Sequence, residues 1–412
     1  MGSLNCRQFN LEENGNLNAH EKEFVNLVIN ADDQSHQEEY KQKVKAHKNN
    51  LENKFRNAIR NIGEFVTVEE MNNKIPPQYL DDLTKRNYDE KYEGDDTNLF
   101  EQDPVLFNNG NYYWGSWNEN SQQEGSGRLY IEAKTVLIQG FWKEGNLFKG
   151  RMYFPEGIIY EGEIQDSNFN GFGKYIDPEG NVYEGEFVNG IKEGNGVFNW
   201  KDGTKYWGEF KNDQFDGEGE YCWVNGFSYK GTVKNGLFDG RGFLKAPNGS
   251  TYNGSFKDGM YHGKGTFSWP TKIPSGRERR NFDAFSEKYT GEYSDGKKEG
   301  QGKYFLPNGD IFMGGWSADK PHGFGEYETN RRIYKCTWRN GKTIEKPTIE
   351  IKEFEGDEEF KDEPEKSNLD FIIREEDIDF QQLEHYNIDK FSLNGSKGQL
   401  EPKEKIVGSL IS

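Results

Sequence analysis

The chain has few residues of the kinds that build metal sites, disulfide frameworks or membrane spans. Among 412 residues there are only 3 cysteines and 6 histidines. Cys6, Cys222 and Cys336 are too widely separated to form a disulfide framework, which favours a reducing compartment and predicts a cytoplasmic protein. The histidines show no spacing typical of metal ligands, and no apolar run approaches the roughly 20 residues of a membrane span. The sequence therefore predicts no metal site, no cofactor and no transmembrane helix.

Hydrophobic residues are also scarce. They make up 32% of the chain, although 15% of its residues are aromatic and 49 are glycine. This composition differs from that of an aliphatic globular core, and it indicates a sheet that is packed by aromatic rings.

Positive charge is in deficit, and the net charge of −19 is unevenly placed. Residues 1–112 carry 13 basic and 21 acidic side chains, residues 113–343 carry 30 and 31, and residues 344–412 carry 9 and 19. The middle region is therefore nearly neutral, whereas both flanks are acidic. Because nucleic-acid binding depends mainly on an excess of Lys and Arg that neutralises phosphates, we expect no nucleic-acid partner.

What the chain does contain is a repeat. The pattern aromatic-x-Gly-x-aromatic, usually followed by Gly-x-Gly-x-aromatic, occurs ten times between Tyr113 and Tyr334. The clearest copies follow at steps of 23 residues and begin at Tyr160, Tyr183, Tyr206, Tyr229 and Tyr252. The pattern resumes at Tyr289 and Phe312, and the last copy starts one residue short of the period. A fixed period of this size indicates a repeat architecture, which usually presents a surface rather than enclosing an active site.

One copy shows what each repeat is expected to form. In Tyr183-Glu184-Gly185-Glu186-Phe187, alternation places both aromatics and the glycine on one face of a strand. Asn189-Gly190 supplies a turn because both residues tolerate positive φ, and residues 194–198 form the returning strand. Glycine normally weakens a strand, so we expect it to leave room for an aromatic ring from a neighbouring strand. Each repeat is thus predicted to be a β-hairpin that buries its aromatics by stacking on its neighbours.

These copies resemble the MORN repeat (membrane occupation and recognition nexus). The resemblance is carried by Tyr160-Glu161-Gly162-Glu163, by residues 183–187, and by Tyr252-Asn253-Gly254-Ser255-Phe256-Lys257-Asp258-Gly259 followed by His262-Gly263-Lys264-Gly265. It covers residues 105–343, with irregular spacing in the copies at Tyr113 and Ile138 and with Cys336 where the motif has glycine. The resemblance implies an all-β repeat, an elongated, twisted, single-layer antiparallel β-meander of about ten hairpins. At about 4.8 Å per strand, such a rod spans on the order of 95 Å.

The region before the rod is predicted to be helical over residues 1–87, followed by an acidic linker over residues 88–104. An apolar stripe at helical spacing ends at Gly63 and consists of Tyr40, Val44, His47, Leu51, Phe55, Ala58 and Ile62. Thr67-Val68-Glu69-Glu70 resembles a capping box that opens a second helix, which Pro76-Pro77 would end. Two alternatives remain for the stripe: it packs on the end of the sheet, or it is a docking helix for a partner.

The region after the rod is an acidic tail, residues 344–412. Residues 353–366 are too highly charged to fold alone. Apolar residues then reappear within acidic sequence, at Leu369, Ile372, Ile373, Ile378, Phe380, Leu383 and Tyr386. We interpret the tail as partly disordered; the alternative is a segment that orders on a partner or back along the rod.

Three features are candidates for specific binding. The first is an aromatic row at equivalent points of the repeats, each residue two positions before a strand glycine: Phe169, Phe215, Phe238 and Tyr261. The row either packs against adjacent hairpins or anchors a partner. The second is an insertion between Thr271 and Lys288, with the cations Lys272, Arg277, Arg279, Arg280 and Lys288. This cationic loop is either merely solvated or meets an acidic protein, an anionic lipid headgroup or the chain's own tail.

The third candidate is the extreme N-terminus, Met1-Gly2-Ser3-Leu4-Asn5-Cys6. It resembles an N-myristoylation site at Gly2, although cysteine replaces the preferred Ser or Thr at position 6. Cys6 is itself a candidate for palmitoylation. Acylation at both residues would matter because two chains anchor a protein stably, whereas one holds it only marginally.

The sequence carries no signature of an enzyme. It has no Gly-x-x-x-x-Gly-Lys-Ser/Thr loop for a nucleotide phosphate and no His-Glu-x-x-His. The resemblance implies a non-catalytic scaffold for protein–protein interaction in a cytoskeletal assembly, and it suggests the ciliary axoneme. The alternative is a membrane-associated tether, as in junctophilins, held by anionic phospholipid or by N-terminal acylation. A third possibility is a regulatory subunit of a separate enzyme.

Overall fold

Strands dominate the computed structural model, which describes residues 50, 53–85, 99–270 and 287–352. The helices in this part are α1 (residues 53–62), α2 (Val68–Asn72) and α3 (Pro77–Lys85), and short 3₁₀ helices lie at Glu132–Lys134 and Pro155–Gly157. The strands are β1 (Gly63–Phe65), β2 (Phe100–Glu101), β3 (Val105–Phe107), β4 (Tyr112–Trp117), β5 (Gln123–Ile131), β6 (Val136–Lys143), β7 (Asn146–Tyr153), β8 (Ile159–Gln165), β9 (Asn168–Ile176), β10 (Val182–Val188), β11 (Ile191–Asn199), β12 (Lys205–Lys211), β13 (Gln214–Cys222), β14 (Ser228–Lys234), β15 (Leu237–Lys245), β16 (Thr251–Lys257), β17 (Met260–Ser268), β18 (Lys288–Ser294), β19 (Lys297–Phe305), β20 (Ile311–Ser317), β21 (Lys320–Glu328), β22 (Arg332–Arg339), β23 (Lys342–Thr343) and β24 (Thr348–Ile351).

These strands form one antiparallel meander. From β3 to β22, each strand pairs with the next strand along the chain. At the ends of the sheet, β1 pairs with β3, β2 with β4, and both β23 and β24 with β22. The predicted fold class, an all-β repeat of antiparallel hairpins, is confirmed.

Turn chemistry explains why the chain reverses at regular intervals. In the turn between β10 and β11, Asn189 and Gly190 have φ of 52° and 84°, the left-handed region that asparagine and glycine tolerate best. At the other end of the hairpins, the N–H of Gly180 donates to the carbonyl of Asp177 at 3.0 Å. Both turn types suit short connections, so consecutive strands become neighbours in the sheet.

A row of glycines crosses the sheet perpendicular to the strands. Each of the strands β4 to β21 contributes one, and neighbours in the row are cross-strand partners: Gly115, Gly127, Gly140, Gly150, Gly162, Gly173, Gly185, Gly196, Gly208, Gly219, Gly231, Gly242, Gly254, Gly265, Gly291, Gly302, Gly314 and Gly325. The row ends at Cys336 of β22, which pairs with Gly325 and is buried. Every repeat is therefore aligned on its neighbours by its glycine.

The two faces of the sheet differ in what covers them. The core face carries the aromatics of each repeat, such as Tyr183 and Phe187, and its buried side chains form one cluster from Phe55 to Trp338. The open face carries the alternate residues, such as Glu184 and Glu186, which are exposed. The main hydrophobic core is thus made by the rings that lie on one face of a single sheet.

The N-terminal helices cover the beginning of the sheet on both faces. Phe55 and Ile59 of α1 are buried on the core face, whereas Met71 and Ile75 belong to a second cluster with Tyr112. Because Tyr112 precedes the core-face residue Tyr113 in the same strand, this second cluster lies on the open face. The helical flank thus packs on the end of the sheet, which is the first of the two alternatives given above for the apolar stripe.

Several predictions about the flanks need correction. Of the stripe, Ile62 is exposed and Ile59 is buried in its place, since Ile59 follows Phe55 at the helical spacing of four. The stripe residues before position 53 lie outside the described residues. The capping box of Thr67 and Glu70 is confirmed, with the N–H of Glu70 donating to the Thr67 hydroxyl at 3.1 Å.

The prediction that Pro76-Pro77 ends the second helix is wrong. That helix stops at Asn72, and Pro77 instead opens α3, where its fixed φ suits the first helical position. Two predicted irregular segments also contain strands. Strand β2 lies within the predicted acidic linker, and β24 lies at the start of the predicted acidic tail.

Candidate interaction surface

The predicted aromatic row lies in the core. Its four members are buried: Phe169, Phe215, Phe238 and Tyr261. Phe238 stacks on Tyr229, the tyrosine that opens its own repeat, with the ring centroids 3.6 Å apart and the rings 12° from parallel. The four rings are therefore surrounded by other core side chains, as expected if the row packs against adjacent hairpins. Contact with a partner through these four rings stays an untested prediction.

The repeat tyrosine fixes the hairpin by its ring and its hydroxyl. The ring of Tyr206 lies over Gly208 of its own strand and Gly219 of the next, where an added Cβ would come within 2.5 Å of the tyrosine. The hydroxyl donates to the carbonyl of Glu209, three residues later, at 3.0 Å. Burial raises the pKa of this hydroxyl well above its usual range. Sequence reasoning expected a ring from a neighbouring strand over each glycine; the structure shows that one ring covers two glycines.

The same hydroxyl bond recurs along the sheet. The donors, each with the carbonyl three residues on, are Tyr113, Tyr160, Tyr183, Tyr206, Tyr229, Tyr252 and Tyr289. In the repeat that starts at Phe312 the hydroxyl is missing, because phenylalanine replaces the tyrosine.

Many glutamates of the repeats also have structural roles. Next to a β-bulge, the carboxylate of Glu186 lies over Gly194 and accepts the N–H of Asn195 at 3.1 Å. Glu209 does the same for the N–H of Glu218, at 3.1 Å. These carboxylates satisfy backbone donors that the bulge leaves without a partner in the ladder. Their abundance in the sequence therefore needs no acid–base chemistry to explain it.

Two lysines occupy the aromatic row, and sequence reasoning missed them. Lys192 and Lys298 stand where Phe215 and Phe238 stand in their repeats, on the second residue of the returning strand. The Nζ of Lys298 lies within 5.9 Å of four ring centroids, those of Trp269, Tyr289, Tyr304 and Trp316. Cation–π attraction between the ammonium and these rings stabilises the charge of the lysine within the aromatic core.

An aspartate accompanies each of these lysines. The backbone N–H of Lys192 donates to Oδ1 of Asp213 at 2.9 Å, and the ammonium lies 3.5 Å from the same oxygen. The backbone N–H of Lys298 donates to Asp319 at 2.7 Å in the same way. Burial lowers the pKa of Lys192, and the charge of Asp213 opposes that shift. A signal was present in the sequence, since both lysines precede an aspartate by 21 residues, and that aspartate stands at the turn position that most other repeats fill with glycine.

The open face carries an exposed apolar groove near the middle of the rod. Its volume is about 500 Å³, and it extends across strands β9 to β14. Phe172, Val197 and Trp207 are its apolar side chains, and the backbone of the glycine row forms its floor. Phe172 is 62% exposed and Trp207 is 37% exposed, which is unusual for rings of this size. Sequence reasoning missed these residues because it examined the glycine-aligned aromatics rather than the alternate positions.

Ion pairs flank the apolar centre of the groove. Val197 and Trp207 are cross-strand partners, with Glu184 opposite Val197 and Glu220 opposite Trp207. Glu184 pairs with Lys174 at 2.6 Å, and Glu220 pairs with Lys230 at 3.3 Å. Along this row, the carboxylates next to the apolar pair are therefore balanced by lysines.

A second row of carboxylates lies beside Phe172 and has different partners. Glu186 is opposite Phe172 across the strands, and Glu209 and Glu218 follow on β12 and β13. Glu186 and Glu209 accept backbone N–H groups, and Glu218 accepts the Thr232 hydroxyl at 3.1 Å. Glu218 lines the groove, whereas Glu186 and Glu209 lie beside it. Because backbone amides and a hydroxyl carry no net charge, this side of the groove is anionic.

The chain itself shows how the open face can be covered. Trp114 has the same place in its repeat as Trp207, directly after the repeat tyrosine and before the row glycine. Trp114 packs against the second core cluster, which α2 and α3 complete with Met71 and Tyr79. The open face is thus covered by helices over its first strands and is exposed from Phe172 onward.

The other predicted site residues lie mostly outside the described residues. These are the four loop cations Lys272, Arg277, Arg279 and Arg280, and the two acylation candidates Gly2 and Cys6. Lys288 is described, and its Nζ lies 4.4 Å from the ring centroid of Phe305 on the next strand. Binding of lipid or an acidic partner by the loop, and acylation of the N-terminus, stay predictions.

Among residues 50, 53–85, 99–270 and 287–352, no group of three or more His, Cys, Asp or Glu side chains is arranged to hold a metal ion. Over the same ranges, none of the helices combines the length and the apolar character that a membrane span requires.

Comparison with protein families identifies the repeat. Seven segments match the model described as the MORN repeat: residues 160–182, 183–205, 206–227, 229–251, 252–272, 289–311 and 312–329. The copies at Tyr113, Ile138 and Tyr334 fall outside these segments, although their strands belong to the same sheet. A search of the curated proteins gives no match.

Solved structures give only distant similarity. The TCP10 domain of Danio rerio CPAP has a TM-score of 0.29 and 12% identity, over 51% of this chain and 92% of that one. The SAS-4 TCP domain of Drosophila melanogaster, in complex with a proline-rich motif of Ana2, has a TM-score of 0.25 and 13% identity, over 36% and 81%. Virginiamycin B lyase from Staphylococcus aureus has 0.13 and 14%, over 57% and 77%.

Proposed function

We propose that this chain, which belongs to the MORN-repeat proteins, is a non-catalytic scaffold that binds other proteins through its rod. The assembly we propose is cytoskeletal, in the cilium or its axoneme, and the location is cytoplasmic. The MORN repeat is a non-enzymatic type of repeat, and scaffolds for protein interaction or membrane association are built from it. The site of interaction would be the rod itself, because repeat rods present extended surfaces.

One observation carries the proposal. Beyond the strands that the N-terminal helices cover, the sheet uses one face for its own aromatic core and leaves the side chains of the other face in solvent. A single-layer sheet normally has to bury a face against another layer. Here the aromatic rings of each repeat pack over the glycine row and take the place of a second layer. The opposite face therefore stays available for a partner.

The glutamates support a scaffold rather than an enzyme. The carboxylates of Glu163, Glu186, Glu209 and Glu292 occupy one repeated position and lie over the bulge glycine of the returning strand. A general acid or base would instead stand out from the repeat by its place and its surroundings. Positions shared by so many repeats indicate a part in building the hairpin.

Fractionation of cells in nonionic detergent tests the proposal. The full-length protein is expected to stay in the detergent-insoluble cytoskeletal pellet and to localise to cilia by immunofluorescence. Complete release into the soluble fraction, together with no ciliary signal, would contradict it. Release by detergent from a membrane fraction would favour the alternative of a membrane tether instead. In that case, Gly2→Ala would test acylation, and neutral replacement of the loop cations would test lipid binding.

A further inference from the structure

We propose that the groove around Phe172, Val197 and Trp207 binds a partner segment that combines bulky apolar side chains with Lys or Arg. The proposal deepens the scaffold function and rests on it, since it places the contact at one position of the rod and states the chemistry of the occupant. Elsewhere on the exposed part of the open face, single apolar residues occur, but the groove brings three together on strands β9 to β12.

The apolar part of the groove defines one half of the occupant. Val197 and Trp207 are adjacent across the strands, and Phe172 lies on β9, two strands away from Val197. An exposed ring next to other exposed apolar groups is a typical anchor of an interface, because its burial removes a large apolar surface from water. Between Phe172 and Val197, β10 contributes the side chain of Glu184, and the backbone of the glycine row forms the floor of the groove.

Charge defines the other half. The carboxylates of Glu184 and Glu220 already have lysine partners, whereas Glu186, Glu209 and Glu218 bond to amides and a hydroxyl. A segment with Lys or Arg over this second row would gain charge-assisted hydrogen bonds, and an acidic segment would be repelled. Arg would gain further from stacking on the exposed rings of Trp207 and Phe172. An anionic membrane surface is disfavoured for the same electrostatic reason.

The chain supplies its own precedent for this kind of contact. At the start of the sheet, Trp114 is covered by the helices that carry Met71 and Tyr79. Trp207 repeats Trp114 on the same face, and the groove continues the surface that those helices cover. A partner segment with apolar side chains would therefore pack over Trp207 in the middle of the rod, as α2 and α3 pack over Trp114 at its beginning.

A matched pair of positions makes the proposal testable. Phe172 and Phe324 each stand between two glycines of a returning strand, and both are 62% exposed. Phe172 lies opposite Glu186, whereas Phe324 lies opposite Thr337 and is not part of the groove. Glu326 is the control for Glu218, because both are carboxylates on the open face of a returning strand, but Glu326 lies outside the groove and contacts Lys335 at 3.6 Å.

The experiment measures binding of a fluorescently labelled synthetic peptide of Phe and Lys to the full-length protein by anisotropy. Peptides of Phe and Glu, and of Ser and Lys, serve as controls for charge and for apolar contact. We expect the Phe–Lys peptide to bind most tightly, and Phe172→Ser or Trp207→Ser to weaken it at least tenfold. Phe324→Ser should leave affinity within twofold. Glu218→Lys should weaken binding at least fivefold, and Glu326→Lys should not.

Three results with the peptides would each overturn the proposal: equal losses from Phe172→Ser and Phe324→Ser, equal binding of the Phe–Glu peptide, or no binding of the Phe–Lys peptide. Adsorption of vesicles rich in phosphatidylserine through Phe172 and Trp207 would overturn it in favour of a lipid surface. Because the substituted rings are exposed, unchanged circular dichroism and melting are expected and confirm that each variant is folded. Fractionation of the unaltered protein tests the scaffold function separately, so retention in the cytoskeletal pellet without peptide binding would refute only this inference.

Discussion

At the scale of single residues, the coupling between tyrosine and glycine explains how so thin a sheet holds together. A tyrosine ring on the core face needs a place where two neighbouring backbones lack side chains, and the row of glycines supplies it. The tyrosine hydroxyl then satisfies a carbonyl of its own strand, so the buried polar group costs little. The tyrosine ring fits only where the glycines lack a Cβ, and the glycines are covered only where the ring is present. The two residues therefore recur with the same period.

This coupling predicts that even a methyl group on the row is harmful. In Gly219→Ala, the added Cβ would lie 2.5 Å from Cε2 of Tyr206, a ring that its neighbours hold in place. We expect a loss of about 1–3 kcal/mol in the free energy of unfolding, as overpacked cores show. Urea unfolding followed by circular dichroism measures it. Gly190→Asn is the control, because no atom would approach the new Cβ within 4 Å and asparagine tolerates the positive φ of that turn. Equal losses from both changes would contradict the ring-over-glycine explanation.

The aromatic row gives a second prediction at this scale. Phe238→Ala should destabilise the protein by about 3–5 kcal/mol, because the buried ring stacks on Tyr229 and its removal leaves a cavity. Phe324→Ala, at a ring that is largely exposed, should change stability by no more than about 0.5 kcal/mol. Thermal melting of the two variants makes the comparison. An unchanged melting temperature for Phe238→Ala, with loss of a protein partner in a pull-down, would favour the partner-binding alternative.

At the scale of the hairpin, the two lysines of the aromatic row show a second way to join repeats. Where Phe215 and Phe238 stand, the carbonyl accepts the N–H of a turn glycine in the next repeat, Gly236 or Gly259. Where Lys192 stands, the N–H comes from Asp213, whose carboxylate also accepts the lysine's own N–H. The backbone connection between repeats is thus kept, while the side-chain contact changes from ring packing to an ion pair.

A double substitution tests whether the ion pair is exchangeable for ring packing. Asp213→Asn alone should cost about 1–3 kcal/mol, because it leaves the largely buried ammonium of Lys192 without its carboxylate. Lys192→Phe combined with Asp213→Gly should return stability to within about 1 kcal/mol of the unaltered protein, because replacing a buried ion pair by apolar packing is often neutral or better. Asp258→Asn, in an equivalent turn, is the control and should have little effect. A double variant that is less stable than Asp213→Asn would show that the lysine is required at this position.

At the scale of the whole molecule, one face of the sheet is closed by its own rings and the other is left for contacts. The core cluster extends from Phe55 at the first helix to Trp338 at the last repeat. Because each repeat contacts only its neighbours, stability is distributed along the rod, whereas recognition depends on what the open face displays at each position.

The distributed tyrosines predict steep alkaline unfolding of the whole sheet. Burial raises the pKa of the repeat tyrosines above the ordinary value of 10.0, in Tyr160, Tyr183, Tyr206, Tyr229, Tyr252 and Tyr289. Above that value the unfolded chain loses these protons and the folded one keeps them, so the free energy of unfolding falls by about 1.4 kcal/mol per pH unit for each tyrosine. Below pH 10 this contribution to stability is fully present.

The measurement is a pH titration of tyrosinate absorbance beside far-ultraviolet circular dichroism. We expect most of the absorbance to rise together with the loss of β structure, at a pH above 10. Tyr206→Phe removes one titrating group and should make the decline of stability with pH less steep. Ionisation of all tyrosines near pH 10 with the circular dichroism unchanged would contradict their burial.

The repeat pattern by itself was sufficient to predict the hairpins, their antiparallel order and the ring-bearing face. The reason is that these features are local: the tyrosine, the glycines and the Asn-Gly turn lie within one period, and each copy repeats the same surroundings. The capping box at Thr67 was equally local and was also predicted. The end of that helix was not, because the chain from Asn73 to Pro77 follows the packing of Met71 and Ile75 on the sheet.

Only the tertiary structure decided which exposed residues come together. Phe172, Val197 and Trp207 belong to three different repeats. Their grouping depends on the register between strands, which the periodicity of the aromatics on the opposite face does not reveal. Whether Trp114 or Trp207 is covered depends on where the N-terminal helices pack, a contact between segments far apart in the chain. The sequence alone thus determined how each repeat folds, because that depends on neighbours within a period. The tertiary structure determined what the rod displays, because that depends on alignment between repeats and on which strands the helices leave open.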